Sequence, residues 1–282
     1  MAKDSKKEFL WKYSLIRKQR TMLSGKDDSL SELYNLCEND SQRDLISDLL
    51  IRFDCIDDSL YDLALRSIAK RIAALKYEPT ELAVVALCHD SNADSSQAVL
   101  HDLRLYVANE TGNTNIPFIN RFEKIASCYN TEHRKHFIAV DEFSGSGQTI
   151  LNRNREFLTK KLPQATIDFF LIAAMSNACV LIREAGINLG VELLCKAGIS
   201  GYYLGNELQK RVLEMKRLEG KLASKIGQLD IQDFSFGYGH AEALFWRRER
   251  NVPNNVFPIF WWKHYLSGGT RTTLLTRLQN GY

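Results

Sequence analysis

The stretch His136-Phe-Ile-Ala-Val-Asp-Glu-Phe-Ser-Gly-Ser-Gly-Gln-Thr149 holds the most chemically suggestive grouping in the chain. An apolar run ends in two adjacent carboxylates, Asp141 and Glu142, with Phe143 directly after them. A loop of small residues follows, Ser144, Gly145, Ser146 and Gly147, and beyond Gln148 an amphipathic helix opens at Thr149. A Gly/Ser loop leading into a helix N-terminus presents backbone N–H groups and a positive dipole end to an anion. Ser144, Ser146 and Thr149 add hydroxyl donors, and small residues let the backbone come close to a phosphate. Two carboxylates are acceptors suited to a pair of sugar hydroxyls. A sugar 5-phosphate satisfies both ends at once. The competing reading is a strand–turn–helix joint capped by Ser and Thr; acid pair, loop and helix start at this spacing are together more specific than a bare Gly/Ser loop. The stretch is not a Walker A loop, because no Lys-Ser/Thr follows the glycine, and G-x-G-x-x-G is absent.

These residues need a frame. Leu82 to Cys88 is a short, Val-rich apolar run that fits a strand buried on both faces. A polar loop, His89 to Ser96, and a helix near Gln97 to Asn109 follow. Phe137 to Val140, Ile167 to Met175 and Val191 to Cys195 read as further strands, with helices from about Thr149 and near Ala178 to Ala185. Strands alternating with helices imply an α/β fold with a parallel sheet covered on both sides. Before Pro79 the pattern is helical: Leu45, Ile46, Leu49, Leu50 and Phe53 share one helical face, and Leu60, Ala64, Ile68 and Ile72 another. No strand signal precedes Pro79, which interrupts any continuing helix. The expected organisation is therefore a helical region over 1–78 and a sheet-bearing domain over 79–282, with a long charged helix from Asn206 to Ile226.

The stretch from Asp141 to Thr149 resembles the PRPP-binding motif of type I phosphoribosyltransferases: an apolar strand, two acids, a small-residue loop, then Thr/Ser-Gly-x-Thr/Ser. The strand–helix order from Leu82 to about Cys195 agrees with it. The resemblance implies a Rossmann-like parallel sheet of the type I phosphoribosyltransferase kind. It implies that Ser144, Gly145, Ser146, Gly147, Gln148 and Thr149 hold the 5-phosphate of PRPP or a related nucleotide. It further implies that Asp141 and Glu142 hold the ribose hydroxyls, with Phe143 beside the sugar and the base. The family's pyrophosphate loop corresponds to His89–Ser96, so Asp90, Ser91 and Asn92 are expected at the pyrophosphate. Mg²⁺ is expected with PRPP, with Asp90 positioning it directly or through water; the competing reading is a loop whose serines cap the next helix. Purine-salvage members carry an Asp where this chain has Gly145, which argues against a 6-oxopurine acceptor. Only about 48 residues separate the two loops, and the mobile hood hairpin of many members is not visible.

The segments Phe236-Gly-Tyr-Gly-His240 and Asn251 to Trp262 are similar to the tails of phosphoribosyltransferase-like effectors of bacterial conflict systems, some of which sit beside retron reverse transcriptases. That resemblance implies anti-phage defence, a toxin effector that depletes a nucleotide pool, and partner proteins such as a reverse transcriptase or an ATPase. It would make Tyr238, Asn254, Asn255 and Trp261 part of a hood over the ligand; as plain structure they are turn residues and aromatic anchors. A non-catalytic PRPP- or nucleotide-binding module remains the alternative function.

Composition limits the field. The 282 residues are 45% hydrophobic and 25% charged, ordinary for a globular chain with a real core. Net charge is only +3, so nucleic acid is expected as a partner at most indirectly. Charge is nonetheless uneven. Lys3–Lys26 holds eight basic and two acidic residues, Asp27–Asp62 eleven acidic and two basic, and Arg247 to the end six basic and one acidic. Such blocks are solvated faces or docking surfaces. Six scattered cysteines without C-x-x-C or zinc spacing read as buried thiols in a reducing cytoplasm. No apolar run has bilayer length, so no membrane is expected. His133 and His136 read as a polar lead into a strand rather than a metal pair, and Trp246-Arg-Arg-Glu-Arg250 as a solvated basic turn rather than a nucleic-acid contact.

Overall fold

The structure, a computed structural model, describes residues 23–88, 95–248 and 250–278. In chain order the elements are α1 (Asp27–Leu36), α2 (Asp40–Arg52), β1 (Asp54–Ile56), α3 (Asp58–Ala74), β2 (Leu82–Ala86), α4 (Ser95–Thr111), β3 (Phe118–Ile119) and α5 (Ile125–Glu132). Then come β4 (His136–Ser144), α6 (Gln148–Thr159), β5 (Thr166–Met175), α7 (Ser176–Glu184), β6 (Leu189–Cys195), α8 (Gly205–Glu219), β7 (Lys225–Ile226), β8 (Leu229–Asp230) and β9 (Phe245–Arg247). The chain divides into two compact units. One is continuous, Asp58–Leu194; the other joins the residues up to Asp57 to those from Cys195 onward. The helical residues before Pro79 are thus shared between the two units, α3 belonging with the sheet.

The continuous unit is an α/β fold around a five-stranded parallel sheet of order β3-β2-β4-β5-β6. Every residue of β2 is buried, as a strand covered on both faces requires. On one face Ala83, Val85, Leu87, Phe137, Ala139, Phe169 and Leu171 form a single core with Ile125 and Cys128 of α5, Ile150 and Phe157 of α6, and Cys179 and Ile182 of α7. On the other, α4 packs on β2 and β4 and α3 packs on α4 and β5. The buried arc of α3 is Tyr61, Ala64, Leu65, Ile68, Ala69 and Ile72. Leu60, expected in that stripe, is half exposed, because the arc is centred one residue further along the chain. Strand β4 begins at His136, whose ring stacks on Tyr77 with 4.0 Å between centroids and bonds Thr166 Oγ1 through Nδ1 at 2.8 Å. That is the polar lead expected of it.

The second unit corrects three expectations. A strand does precede Pro79: β1 pairs in parallel with β9, Cys55 opposite Trp246, and Asp54 N–H donates to Leu244 O at 2.7 Å. The charged helix α8 stops at Glu219 instead of Ile226; Gly220 follows, and Leu222 bridges to Tyr265. Trp246 and Arg247 are buried in β9, so they are not a solvated turn. The tail's phenylalanines and Trp261 and Trp262 are core, whereas Tyr238 is exposed. Phe234 meets Trp261 edge-on at 5.6 Å, Trp261 packs on Trp262, and Phe53 meets Phe260 at 5.2 Å. Gly237 has φ +79°, and a Cβ there would fall 1.8 Å from Asn255 O, so only glycine fits this turn. Asn255 Nδ2 closes it by donating to Tyr238 O at 2.8 Å. None of the six cysteines is in a disulfide. Among the described residues no helix is long and apolar enough to cross a membrane.

Candidate functional site

In the order β3-β2-β4-β5-β6 the chain leaves β2 for one neighbour, β3, and returns to the other, β4. The reversal lies between β2 and β4, and open parallel sheets bind ligands in the crevice beyond the carboxyl ends at such a point. Strands β2 and β4 run in register, Ala86 opposite Val140. Asp141 and Glu142 therefore begin where β2 ends. Asp90, Ser91 and Asn92 lie outside the described residues.

Strand β4 runs on through Ser144, with Phe143 and Ser144 opposite Ala173 and Ala174 of β5. The strand expected to end at Val140 thus carries the acid pair on regular, alternating backbone. Asp141 and Phe143 continue the row of Phe137 and Ala139, while Glu142 and Ser144 continue the row of Ile138 and Val140. The two carboxylates project from opposite faces of the strand. Glu142 is 4% exposed and Asp141 is half-buried at the rim. Gly145, Ser146 and Gly147 form the bend, and Gln148 starts α6. Gly147 has φ +79°, and its added Cβ would lie 3.3 Å from Ile182 Cγ1 and 3.4 Å from Ala178 O. The loop is thereby pressed onto α7, and the first N–H groups of α6, which lack helical partners, head the crevice. Ser146 Oγ lies 3.4 Å from Gln148 N, and Gln148 and Thr149 are exposed.

Two contacts join the candidate loops. Ser95, opening α4, donates from Oγ to Asp141 Oδ1 at 3.1 Å, the same oxygen that accepts Glu142 N–H at 2.7 Å. Arg153 on α6 donates from Nε to Leu87 O at 2.7 Å, tying the helix behind the Gly/Ser loop to the end of β2. The residues that flank 89–94 are held as well. Cys88 N–H donates to Ser96 Oγ at 3.1 Å, and the Cys88 thiol to Asn120 O at 3.0 Å. Ser95 and Ser96 belong to the loop singled out in the sequence, but their partners could not be read there. Arg153 carried no signal, since its acceptor is a main-chain carbonyl 66 positions away.

A family model named PRTase-CE matches residues 37–277. The chain belongs to the PRTase-CE family. No curated protein matches it. The match makes the chain phosphoribosyltransferase-like, in agreement with its α/β sheet, and it spans most of both units. Among the described residues of this PRTase-CE member no group of three or more His, Cys, Asp and Glu is placed to hold a metal ion. Mg²⁺ is commonly held by one or two carboxylates, water and substrate phosphates. The rim carboxylate Asp141 fits that mode.

Tyr238, Asn254, Asn255 and Trp261 all lie in the second unit. Tyr238 N–H donates to Asn254 O at 2.8 Å, Asn255 Nδ2 to Tyr238 O at 2.8 Å and Trp261 Nε1 to Val256 O at 2.8 Å.

Proposed function

We propose that this phosphoribosyltransferase-like protein binds PRPP, or a related ribose 5-phosphate nucleotide, in the crevice between β2 and β4 and transfers its ribosyl group. The observation that supports this most is the hydrogen bond from Ser95 to Asp141, which brings the end of one candidate loop onto the acid pair that begins the other. In this reading the 5-phosphate sits on the N–H groups of Ser146 to Thr149, and the ribose hydroxyls on the carboxylates. Asp141 and Glu142 fix the sugar rather than move protons. The transition state is oxocarbenium-like at C1′ with pyrophosphate departing, so positioning and electrostatics supply the rate. Bound Mg²⁺ would neutralise charge on the leaving group; Asp141 would hold it from the crevice rim, and the resemblance gives Asp90 the same task. A defence-effector setting, with partner proteins docked on the charged helices, belongs to the same proposal and is supported by the resemblance of the tail.

The test is phosphorus NMR of PRPP and Mg²⁺ with the full chain and a pool of bases and nucleotides. Pyrophosphate should appear, and Asp141→Asn with Glu142→Gln should abolish it while leaving the fold intact. Undiminished turnover in that double variant would overturn the assignment. A second reading is a binding module without turnover. It is favoured by the β2–β4 connection, where the described residues form α4, the two-residue β3 and α5 rather than a covering hairpin. Saturable broadening of PRPP signals without pyrophosphate would support it.

A further inference from the structure

The crevice opens at the end of β2, and the groups that hold that end come from three elements. Strand β2 pairs with β4 from Leu82 opposite His136 to Ala86 opposite Val140. Beyond Ala86 that pairing stops, while β4 stays with β5 through Ser144 opposite Ala174. Leu87 and Cys88 are 2% and 7% exposed, so their main-chain groups need partners once the ladder has ended. Cys88 N–H donates to Ser96 Oγ of α4 at 3.1 Å, and Cys88 O accepts Phe122 N–H at 2.9 Å. Leu87 O accepts Arg153 Nε at 2.7 Å. Of these three partners, Arg153 alone stands on α6, the helix that follows the Gly/Ser loop.

Arg153 is firmly seated. It stands five residues beyond Gln148, about 7.5 Å along a 12-residue helix, so the first turn of α6 and the base of this side chain form one body. The side chain is 17% exposed, and Nη1 lies 3.6 Å from Glu156, which also pairs with Lys160 at 3.2 Å. The guanidinium carbon lies 5.6 Å from the centre of the fully buried Phe122 ring. A hydrogen bond from a charged donor is shorter and stronger than a neutral one. The wall that ends β2 is thereby fixed to the wall that begins α6. The rim contact of Ser95 with Asp141 joins the walls too, but through a carboxylate that a sugar hydroxyl would also use.

We propose that Arg153 is a positioning residue: by holding Leu87 O it sets the span of the crevice, and it thereby selects ligands anchored at both walls over ligands anchored at one. The role rests on the ribose-phosphate reading of the crevice. In that reading the 5-phosphate sits on the first N–H groups of α6, and the diphosphate at C1′ faces the end of β2. PRPP carries both groups on one sugar, so its affinity depends on the distance between the walls. Ribose 5-phosphate meets only the α6 wall and the acid pair, so its affinity does not. A misplacement of about 1 Å, caused by a change away from the reacting groups, can cost ~100-fold where both anchors must be met. The competing account makes Arg153 a cover for Phe122 and a partner of Glu156 alone, and it predicts equal effects on the two ligands.

The test is titration calorimetry of PRPP and of ribose 5-phosphate, each with Mg²⁺ and without an acceptor, on the full chain and its Arg153 variants. The amide nitrogen of glutamine lies as many bonds from Cα as the Nε of arginine, so Arg153→Gln keeps a donor there without the charge. Arg153→Met keeps the length without a donor. Arg153→Met should weaken PRPP about tenfold or more and change ribose 5-phosphate by less than about twofold. Arg153→Gln should keep the ratio of the two affinities within about threefold of wild type. Should Arg153→Met fail to fold, as read by melting, Arg153→Ser takes its place, since the space it vacates admits water to Leu87 O. A ratio unchanged in Arg153→Met, an equal loss of both ligands, or a ratio lost as fully in Arg153→Gln would overturn the role. A wild type with no affinity for PRPP is a different result: it removes the ribose-phosphate reading of the crevice, and this role with it.

Discussion

Glu219, the last residue of α8, should make the stability of its unit fall through neutral pH. Its side chain is 5% exposed and receives hydrogen bonds from Ser235 Oγ at 2.7 Å and Phe236 N–H at 3.0 Å. Burial pushes the carboxyl from 4.5 up to about 7, against the opposing pull of those two bonds. The folded state therefore holds the proton more tightly than the unfolded chain does. Stability from this group is complete below the unfolded value and is lost as pH rises through the folded one. Between pH 5 and pH 8.5 the loss is about 2.5 kcal/mol, equivalent to about 5–10 °C in melting temperature. Glu219→Gln keeps an amide oxygen for Phe236 N–H and cannot ionise. The assay is urea or thermal denaturation of both proteins across that range. Wild type should lose about 2.5 kcal/mol relative to the variant between the two pH values. A difference that stays constant with pH would refute the reasoning.

Gly147→Ala places a Cβ at positive φ against Ile182 and Ala178 O. It should cost about 1–2 kcal/mol of stability and weaken PRPP binding at least tenfold, as read by melting and titration calorimetry. Burial raises the Cys37 thiol to about 12 and the Cys128 thiol to about 11. Each is then less than about 0.1% thiolate at pH 8, against roughly a quarter for an ordinary thiol. A disulfide exchange reagent should modify the half-buried Cys55 first and reach Cys37 and Cys128 only in denaturant; early labelling of Cys37, mapped by mass spectrometry, would contradict that.

What the sequence discloses follows from how local each feature is. Strands β2 and β5 announce themselves because both faces are buried, which leaves long apolar runs. Strand β1 does not: it has three residues, one of them Asp54, and its partner lies nearly two hundred positions away. Helix α8 reads as continuing because Lys221, Leu222 and Ala223 suit a helix; Leu222 instead bridges to Tyr265, a tertiary choice invisible locally. The site divides the same way. Asp141 to Thr149 is one contiguous strand, bend and helix start, so composition reveals it. That Asp141 and Glu142 project from opposite faces follows only once β4 is seen to run through Ser144. The contact of Ser95 with Asp141 and that of Arg153 with Leu87 O join distant segments, and no local pattern encodes them.

The pairing of β1 with β9 also sets an order of events during synthesis. Residues 58–194 are contiguous, so the sheet and the acid pair can be completed while the chain is still growing. Strand β1 leaves the ribosome early yet waits for Phe245–Arg247, roughly 190 residues later. At 5–20 residues per second that wait is about 10–40 s. Throughout it, an early strand with open edges and the apolar stripe of α2 stand without their mates, a natural target for chaperones. A nascent chain arrested near residue 200 would carry a finished crevice beside an unfinished unit.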